Sequence, residues 1–416
     1  MSDVAKTRRS VLGAPSAPAR GAGRPKMSIV VVEDPAALAD YVPAWQELAD
    51  SAIEPNVFYE PWMLLPAIQA YAGERDLRFV FVQASDPADP SATPMLCGVF
   101  PLERKRRYHG LATALPLANI GLWKHPFCYL CTPLVRAEHA AECLAAFFDW
   151  LAAGSHGCSL MEFGFIAGDG PFWQLLSDHC ERHLRPHHVS KSFLRALFQP
   201  RGDAETFLRA ALQPGRLREL RRHERRLADA GPLEYSTLEP GHDVDAWIDE
   251  YLAVESISWK GRGGRALAGN PVDQAYFRTV AREGFGRGQL LMLALRSKGR
   301  TLAHKCNFLS GTGSFAFKIA FDEEFARHSP GVLLEIENIR WLHARPEIRW
   351  MDSCADAAHP MLDRLWSGRR TIQDVVVGTG GPLGDWFVAA LPLLRHLKRK
   401  LFRRDPPRQR LEDSSE

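Results

Sequence analysis

The chain has 416 residues, enough for two or three domains with their own cores, and its 46% hydrophobic and 24% charged residues are those of an ordinary globular protein. A formal charge of +3 is too small to argue for a nucleic-acid binder, and no window reaches the ~18–20 apolar residues of a membrane span. The eight cysteines are scattered, with Cys128 and Cys131 forming a single C-x-x-C, so they read as reduced packing residues in a cytoplasmic protein and not as a metal site.

In chain order, "TRRSVLGAPSAPARGAG" begins like a twin-arginine export signal but lacks the apolar stretch that must follow the arginines. Residues 1–26 are expected to be a disordered basic tail, or an upstream extension with Met27 the true start. "MSIVVVED" reads as a strand and "PAALADYVPAWQELADSA" as a helix with apolar residues at helical spacing. "NVFYEPWMLLPAIQAYAG" is a second helix with Pro61 in its first turn. "LRFVFVQAS" and "PMLCGVFPLERKR" form a strand pair, followed by a strand "PFCYLCTPLV", a helix "AEHAAECLAAFFDWLAAG" and a strand "SLMEFGFI".

The second half repeats that order. "QLLMLALRS" and "TLAHKCNFLS" flank Lys298-Gly299-Arg300 as a hairpin, then come a strand "SFAFKIAF", a helix "VLLEIENIRWLHA" and a strand "EIRWMDSC". In each half the last three elements form a crossover unit whose strands should lie parallel. The expected organisation is a tail at 1–26, duplicated α/β domains with mixed sheets at 27–200 and 201–380, and a basic amphipathic helix and tail at 381–416.

One stretch distinguishes the halves. "FKIAFDEEFARHSPGVLLEIENIRW" passes from strand to helix through His328-Ser329-Pro330-Gly331, whereas the matching place in the first half, "TPLVRAEHAAECL", has no glycine. A helix start leaves backbone N–H groups unpaired and carries partial positive charge. Glycine admits a ligand close to the backbone, proline presets the first turn, and no acidic side chain precedes Glu335. These features describe a phosphate cradle. They also describe an ordinary serine cap with proline at the first helical position.

The residues "EPNVFYEPWMLLPAI", "GVFPL", "AVESISWKGRGGRAL", "FKIAFDEEFARHSPGVLL" and "DSCADAAHPMLDRLWSGRR" make the chain from Ser28 to Gly380 resemble the GNAT superfamily of N-acyltransferases. More narrowly it resembles the two-domain bacterial group of CelD-type cellulose-biosynthesis acetyltransferases and Fem-type transferases. The resemblance implies tandem acyl-CoA N-acyltransferase folds, with acetyl-CoA or another acyl-CoA as donor. The coenzyme would be held by Phe317, Ile319, His328, Ser329, Gly331, Val332 and Leu333. A backbone N–H within Phe315–Ile319 would polarise the thioester. One departure is plain: the superfamily's fuller glycine loop is reduced here to Gly331 after Ser-Pro.

Acyl transfer to an amine also needs a base. The candidates are Asp352 at the end of the strand after the helix, His359 seven residues on, and Glu255. Asp352 equally suits a loop cap, and His359 a turn residue before Pro360. Trp259, Lys260 and Arg262 beside the glycine-rich "GRGG", with Tyr59 and Trp62 from the first half, are expected to receive the acceptor. Tyr59, Trp62 and Asn56 fit a core role as well. His304 and Lys305 alternate in facing, so only one of them can point into a cleft. The helix "RLRELRRHERRLADAG" presents Arg216, Arg218, Arg221, Arg222, Arg225 and Arg226, either as a solvated face or as a rim for phosphates. "DWFVAALPLLRHLKRKLFRR" is too short to span a bilayer and suits either an anionic membrane surface or docking on the domain. The function expected is acyl-CoA-dependent N-acetylation of an envelope polysaccharide, sugar-nucleotide or lipid precursor, with no nucleic acid as partner. A tRNA-dependent transferase and a non-catalytic synthase subunit are the alternatives.

Overall fold

The computed structural model describes residues 25–401 apart from 90, 109–116, 230 and 259–265, with side chains to residue 397. In the first half the strands are β1 (Lys26–Val32), β2 (Leu77–Ser85), β3 (Met95–Lys105), β4 (Asn119–Leu122), β5 (Leu134–Val135), β6 (Leu160–Ala167) and β7 (His187–Phe198). In the second they are β8 (Leu233–Thr237), β9 (Leu290–Ser297), β10 (Arg300–Ser310), β11 (Gly313–Phe321), β12 (Trp350–Asp352) and β13 (Gly368–Gly378). The helices are α1 (Val42–Asp50), α2 (Pro61–Tyr71), α3 (Ala140–Ala152), α4 (Pro171–Arg182), α5 (Ala204–Ala211), α6 (Pro214–Asp229), α7 (Val244–Ile257), α8 (Pro271–Gly286), α9 (Pro330–His343), α10 (Leu362–Leu365) and α11 (Pro382–Leu401).

These strands make one sheet in the order β1-β2-β3-β4-β6-β13-β7-β12-β11-β10-β9-β8, with β5 beside β3. From either edge the sheet runs antiparallel to a parallel pair, β4 with β6 in the first half and β11 with β12 in the second. At the centre the two halves exchange their last strands. β13 lies between β6 and β7, and β7 lies between β13 and β12. The exposed turn at residues 200–203, where the sequence suggests a division, follows β7, yet β7 and β13 are hydrogen-bonded to each other across the halves.

Local sequence explains most elements. Lys298 (φ 50°) and Gly299 (φ 74°) give the hairpin between β9 and β10 the left-handed turn that matches strand twist. The helix expected over residues 35–52 is instead a 3-10 turn, Pro35–Tyr41, followed by α1, with a proline in the first turn of each. "PFCYLCTPLV" is not a strand beyond the two residues of β5.

One apolar core joins the first half to the α7–α8 layer of the second, and a separate core lies under α9, α5 and α6. Contact between α2 and α8 fastens the halves: the Tyr71 hydroxyl donates to Asp273 (3.0 Å) and the Tyr276 hydroxyl to the Met63 sulfur (3.2 Å). All eight cysteines are buried and unbridged.

Candidate functional site

The parallel pair in the second half is short. β11 and β12 pair only over Gly313–Phe315 with Trp350–Asp352, after which β12 ends and the chain turns through Cys354 (φ 52°). From Ala316 onward this edge of β11 is paired with no strand among the described residues. Against β10, Lys318 faces Cys306 but Phe315 faces Phe308, so two steps on β10 oppose three on β11. This bulge puts the consecutive residues Phe317 and Lys318 on one face. Phe317 enters a cluster with Phe127, Tyr129, Phe277 and Phe308. Ile319 lies on the opposite face with Phe321, against the start of α9; a Cβ on Gly331 would sit 3.9 Å from Ile319 Cδ1 and 3.2 Å from Phe321 Cδ1.

In the first half the corresponding opening is closed by its own chain. β4 and β6 pair over Asn119–Gly121 with Leu160–Glu162. Beyond them the Cys131 N–H donates to the Phe165 carbonyl (2.9 Å) and the Ala167 N–H to Thr132 Oγ1 (3.3 Å). The segment expected as a strand is thus the plug of the first opening.

Next comes the helix start. Ser329 is left-handed (φ 53°, ψ 47°), Pro330 is in the first turn of α9, and neither a side-chain cap nor an acidic residue occupies that turn. The Ser329 carbonyl accepts the N–H groups of Val332 (3.0 Å) and Leu333 (3.1 Å). Val332 and Leu333, expected among the ligand-facing amides, are therefore committed to the first helical turn, and Gly331 remains as the amide there with no bond to Ser329.

Beside this turn lies a hollow of about 390 Å³ lined by Arg226, Asp229, Arg327 and His328. His328 Nε2 accepts from Arg327 Nε (3.0 Å), while Nδ1 is buried and has no partner among the described residues. Burial, then Arg327, His223 and Arg226, push the His328 imidazole below its ordinary pKa, so it stays neutral. Two guanidiniums from separate elements, α6 and the segment before α9, therefore share one hollow next to a helix N-terminus. Arg226 reaches it because α6 packs Leu220 and Leu227 inward and leaves the arginine exposed.

The other face of β11 carries the titratable groups. Lys318 Nζ lies 3.0 Å from Glu255 Oε1, with Glu255 fully buried, and Glu255 Oε2 accepts the Leu267 N–H (2.8 Å). Tyr129, from the first half's plug, packs edge-on to Phe317 (5.9 Å). Burial raises the Tyr129 phenol above its ordinary value, with Cys354 and Glu255 adding to the effect. Lys318 was missed by sequence reasoning. The signal for Lys318 was a lone lysine inside the apolar run "FAFKIAF".

Other expectations are corrected. Asp352 is fully buried, and Arg195 (2.7 Å) and Arg370 (2.9 Å) donate to its Oδ2 while the Cys354 N–H takes Oδ1 (2.9 Å). Burial opposes ionisation, but Arg195 and Arg370 outweigh it and hold the carboxyl below its usual range, which suits an ion-pair anchor and not a base. His359 Nδ1 accepts the Leu362 N–H (3.3 Å), the turn role at the start of α10. Tyr59 and Trp62 are core residues, their polar atoms donating to the Trp123 carbonyl and to Glu60. Asn56 is likewise buried, donating to the Leu130 and Thr132 carbonyls. Neither His304 nor Lys305 points into a cleft: Lys305 pairs with Glu335 of α9 (2.8 Å), and His304 is buried edge-on to Trp247 and Tyr251. Trp259, Lys260 and Arg262 lie outside the described residues. No cluster of metal-ligating side chains occurs among the described residues.

Residues 215–359 match the family model of the acetyltransferase (GNAT) domain. No curated protein matches the chain in sequence. Among solved structures, FemX is 10% identical and shares the fold at a TM-score of 0.53, over 83% of this chain and 98% of that one. A tandem GNAT protein from the clavulanic acid biosynthesis pathway is 14% identical over 86% of this chain and 99% of its own, with a TM-score of 0.39. L-PGS from Bacillus licheniformis is 11% identical over 73% of this chain and 86% of its own, at 0.42.

Proposed function

We propose, from the match of residues 215–359 to the acetyltransferase (GNAT) domain, that the chain is a GNAT-type enzyme that moves an acyl group from an acyl-CoA thioester to an amine. The observation that carries this reading is the continuity of the bulged part of β11, past its three-residue pairing with β12, with the uncapped start of α9, beside which Arg226 and Arg327 share a hollow. An extended pantetheine arm would lie along that edge, with its diphosphate toward the Gly331 amide and the two guanidiniums. A thioester placed at the bulge meets backbone amides of Ala316–Phe317 able to polarise its carbonyl.

The acceptor amine approaches on the face of Glu255 and Lys318. Its nitrogen attacks the carbonyl carbon, the carbon–sulfur bond breaks, and the proton released goes to the Glu255–Lys318 pair. Asp352 positions this half by fixing the point where β12 leaves β11. The acceptor in this proposal is an amine on an envelope polysaccharide, sugar-nucleotide or lipid precursor, and acetyl is the expected acyl group.

The test is stabilisation by acetyl-CoA. The wild-type chain should melt higher as acetyl-CoA is added, and Arg226→Ala with Arg327→Ala should weaken the apparent affinity about tenfold, since two charge-assisted contacts are lost. Absence of any stabilisation of the wild type, or a double variant that binds as the wild type does, defeats the reading. A second reading, transfer from charged tRNA, is favoured by the exposed Arg218, Arg221, Arg222 and Arg225 on α6. Retention of charged tRNA on a filter, with no response to acetyl-CoA, would select it.

A further inference from the structure

We propose that the outer face of α11 docks on an anionic lipid surface, a feature that stands apart from the acyl-transfer reading. The helix is apolar on two sides. Its inner side packs Phe387, Val388 and Leu391 against Tyr108, Leu160 and Val376. Its outer side exposes Leu383 (58%), Trp386 (69%), Leu393 (61%) and Leu397 (45%). Steps of three, seven and four residues set these four on a single helical stripe. Helices of globular proteins bury their apolar stripe, and a second, outward one is unexplained by the fold.

Charge selects the occupant. Between Asp385 and Asp405 the sequence has no acidic residue; Arg395 is turned inward, donating to the Ser190 carbonyl, and Lys398, Arg399, Lys400, Arg403 and Arg404 follow it. A second copy seated on the stripe would bring two such basic segments together, with only the bordering Asp385 and Asp405 of each to offset them. An anionic bilayer instead accepts the leucines and the tryptophan among its acyl chains and headgroups and neutralises the arginines and lysines. No helix among the described residues is long and apolar enough to cross a membrane, so the contact is one of surface docking.

The experiment uses the full chain with vesicles of phosphatidylcholine alone and of about three parts phosphatidylcholine to one of phosphatidylglycerol. Co-sedimentation should be about tenfold stronger with the anionic vesicles and should fall as salt rises to about 0.5 M. The double variant Leu393→Glu with Leu397→Glu should lose about tenfold in binding while its thermal melting stays as in the wild type, because both side chains are exposed. Equal binding to both vesicles, no binding to either, or undiminished binding by the double variant overturns the proposal. So does a concentration-dependent dimer that the double variant abolishes, since the occupant would then be a second copy.

Discussion

Arg195 of β7 and Asp352 at the end of β12 form a buried pair between residues 157 positions apart, with Nε–Oδ1 at 2.6 Å and Nη2–Oδ2 at 2.7 Å. Arg370 of β13 takes the same carboxylate at 2.9 Å and reaches Glu54 at 3.2 Å. Both exchanged strands are thereby held to the point where β11 and β12 separate, so the opening of the cleft depends on the strand exchange.

Asp352→Ala should therefore destabilise the whole chain and not simply slow a reaction. It strands two guanidiniums, of which Arg195 is 1% and Arg370 7% exposed. The expected loss in urea unfolding is about 3–5 kcal/mol. A variant that unfolds like the wild type but has lost turnover would return Asp352 to a catalytic role.

Glu255→Gln keeps the shape of the side chain and its acceptor for the Leu267 N–H. Acetyl-CoA binding should persist, and turnover with an amine should fall by about 10²-fold or more. Unchanged turnover would remove the Glu255–Lys318 pair from the chemistry.

The Lys305–Glu335 pair joins β10 to α9 with both side chains at most 2% exposed. Lys305→Met alone leaves a buried carboxylate and should cost about 3–5 kcal/mol. Adding Glu335→Leu should restore much of that loss, and a double-mutant cycle measures the coupling. Additive losses would mean that the two charges are independent.

Glu54 supplies a pH dependence of definite sign. Burial raises its carboxyl to about 7, against the pull of Arg370. A carboxyl raised by folding contributes stability below its unfolded value of about 4.3 and loses that contribution as pH climbs through the folded value. Asp352, lowered, acts in the opposite sense and only in acid, where its contribution is lost. Between pH 5 and 8 the wild type should thus lose more stability than Glu54→Gln, read as urea midpoints. Parallel slopes for the two would show that Glu54 ionises freely in the folded state.

Much was legible from the sequence: the repeated order of strand pair, crossover helix and strand, the hairpin at Lys298-Gly299, and the bare start of α9. These rest on side-chain periodicity and turn chemistry within a few residues, which act wherever the segment sits. The C-x-x-C segment was misread because its apolar residues bury themselves as a plug along the edge of β6, and burial alone does not distinguish a strand from a packed loop. Asp352 stayed open between a base and a loop cap for a related reason: a carboxylate beside a cleft and one clamped by two arginines look alike until their partners are known.

By itself, the sequence determined the strand pair and the crossover helix of each half, and where a helix would begin without a cap, since local sterics and hydrophobic spacing are short-range. The tertiary structure alone decided that β7 and β13 change places, that Arg195 and Arg370 meet at Asp352, and that Lys318 turns toward Glu255. Those outcomes depend on hydrogen-bond ladders and charges drawn together from opposite ends of the chain, with Glu54 and Arg370 separated by 316 positions, and no local pattern encodes which distant partner will neutralise a buried charge.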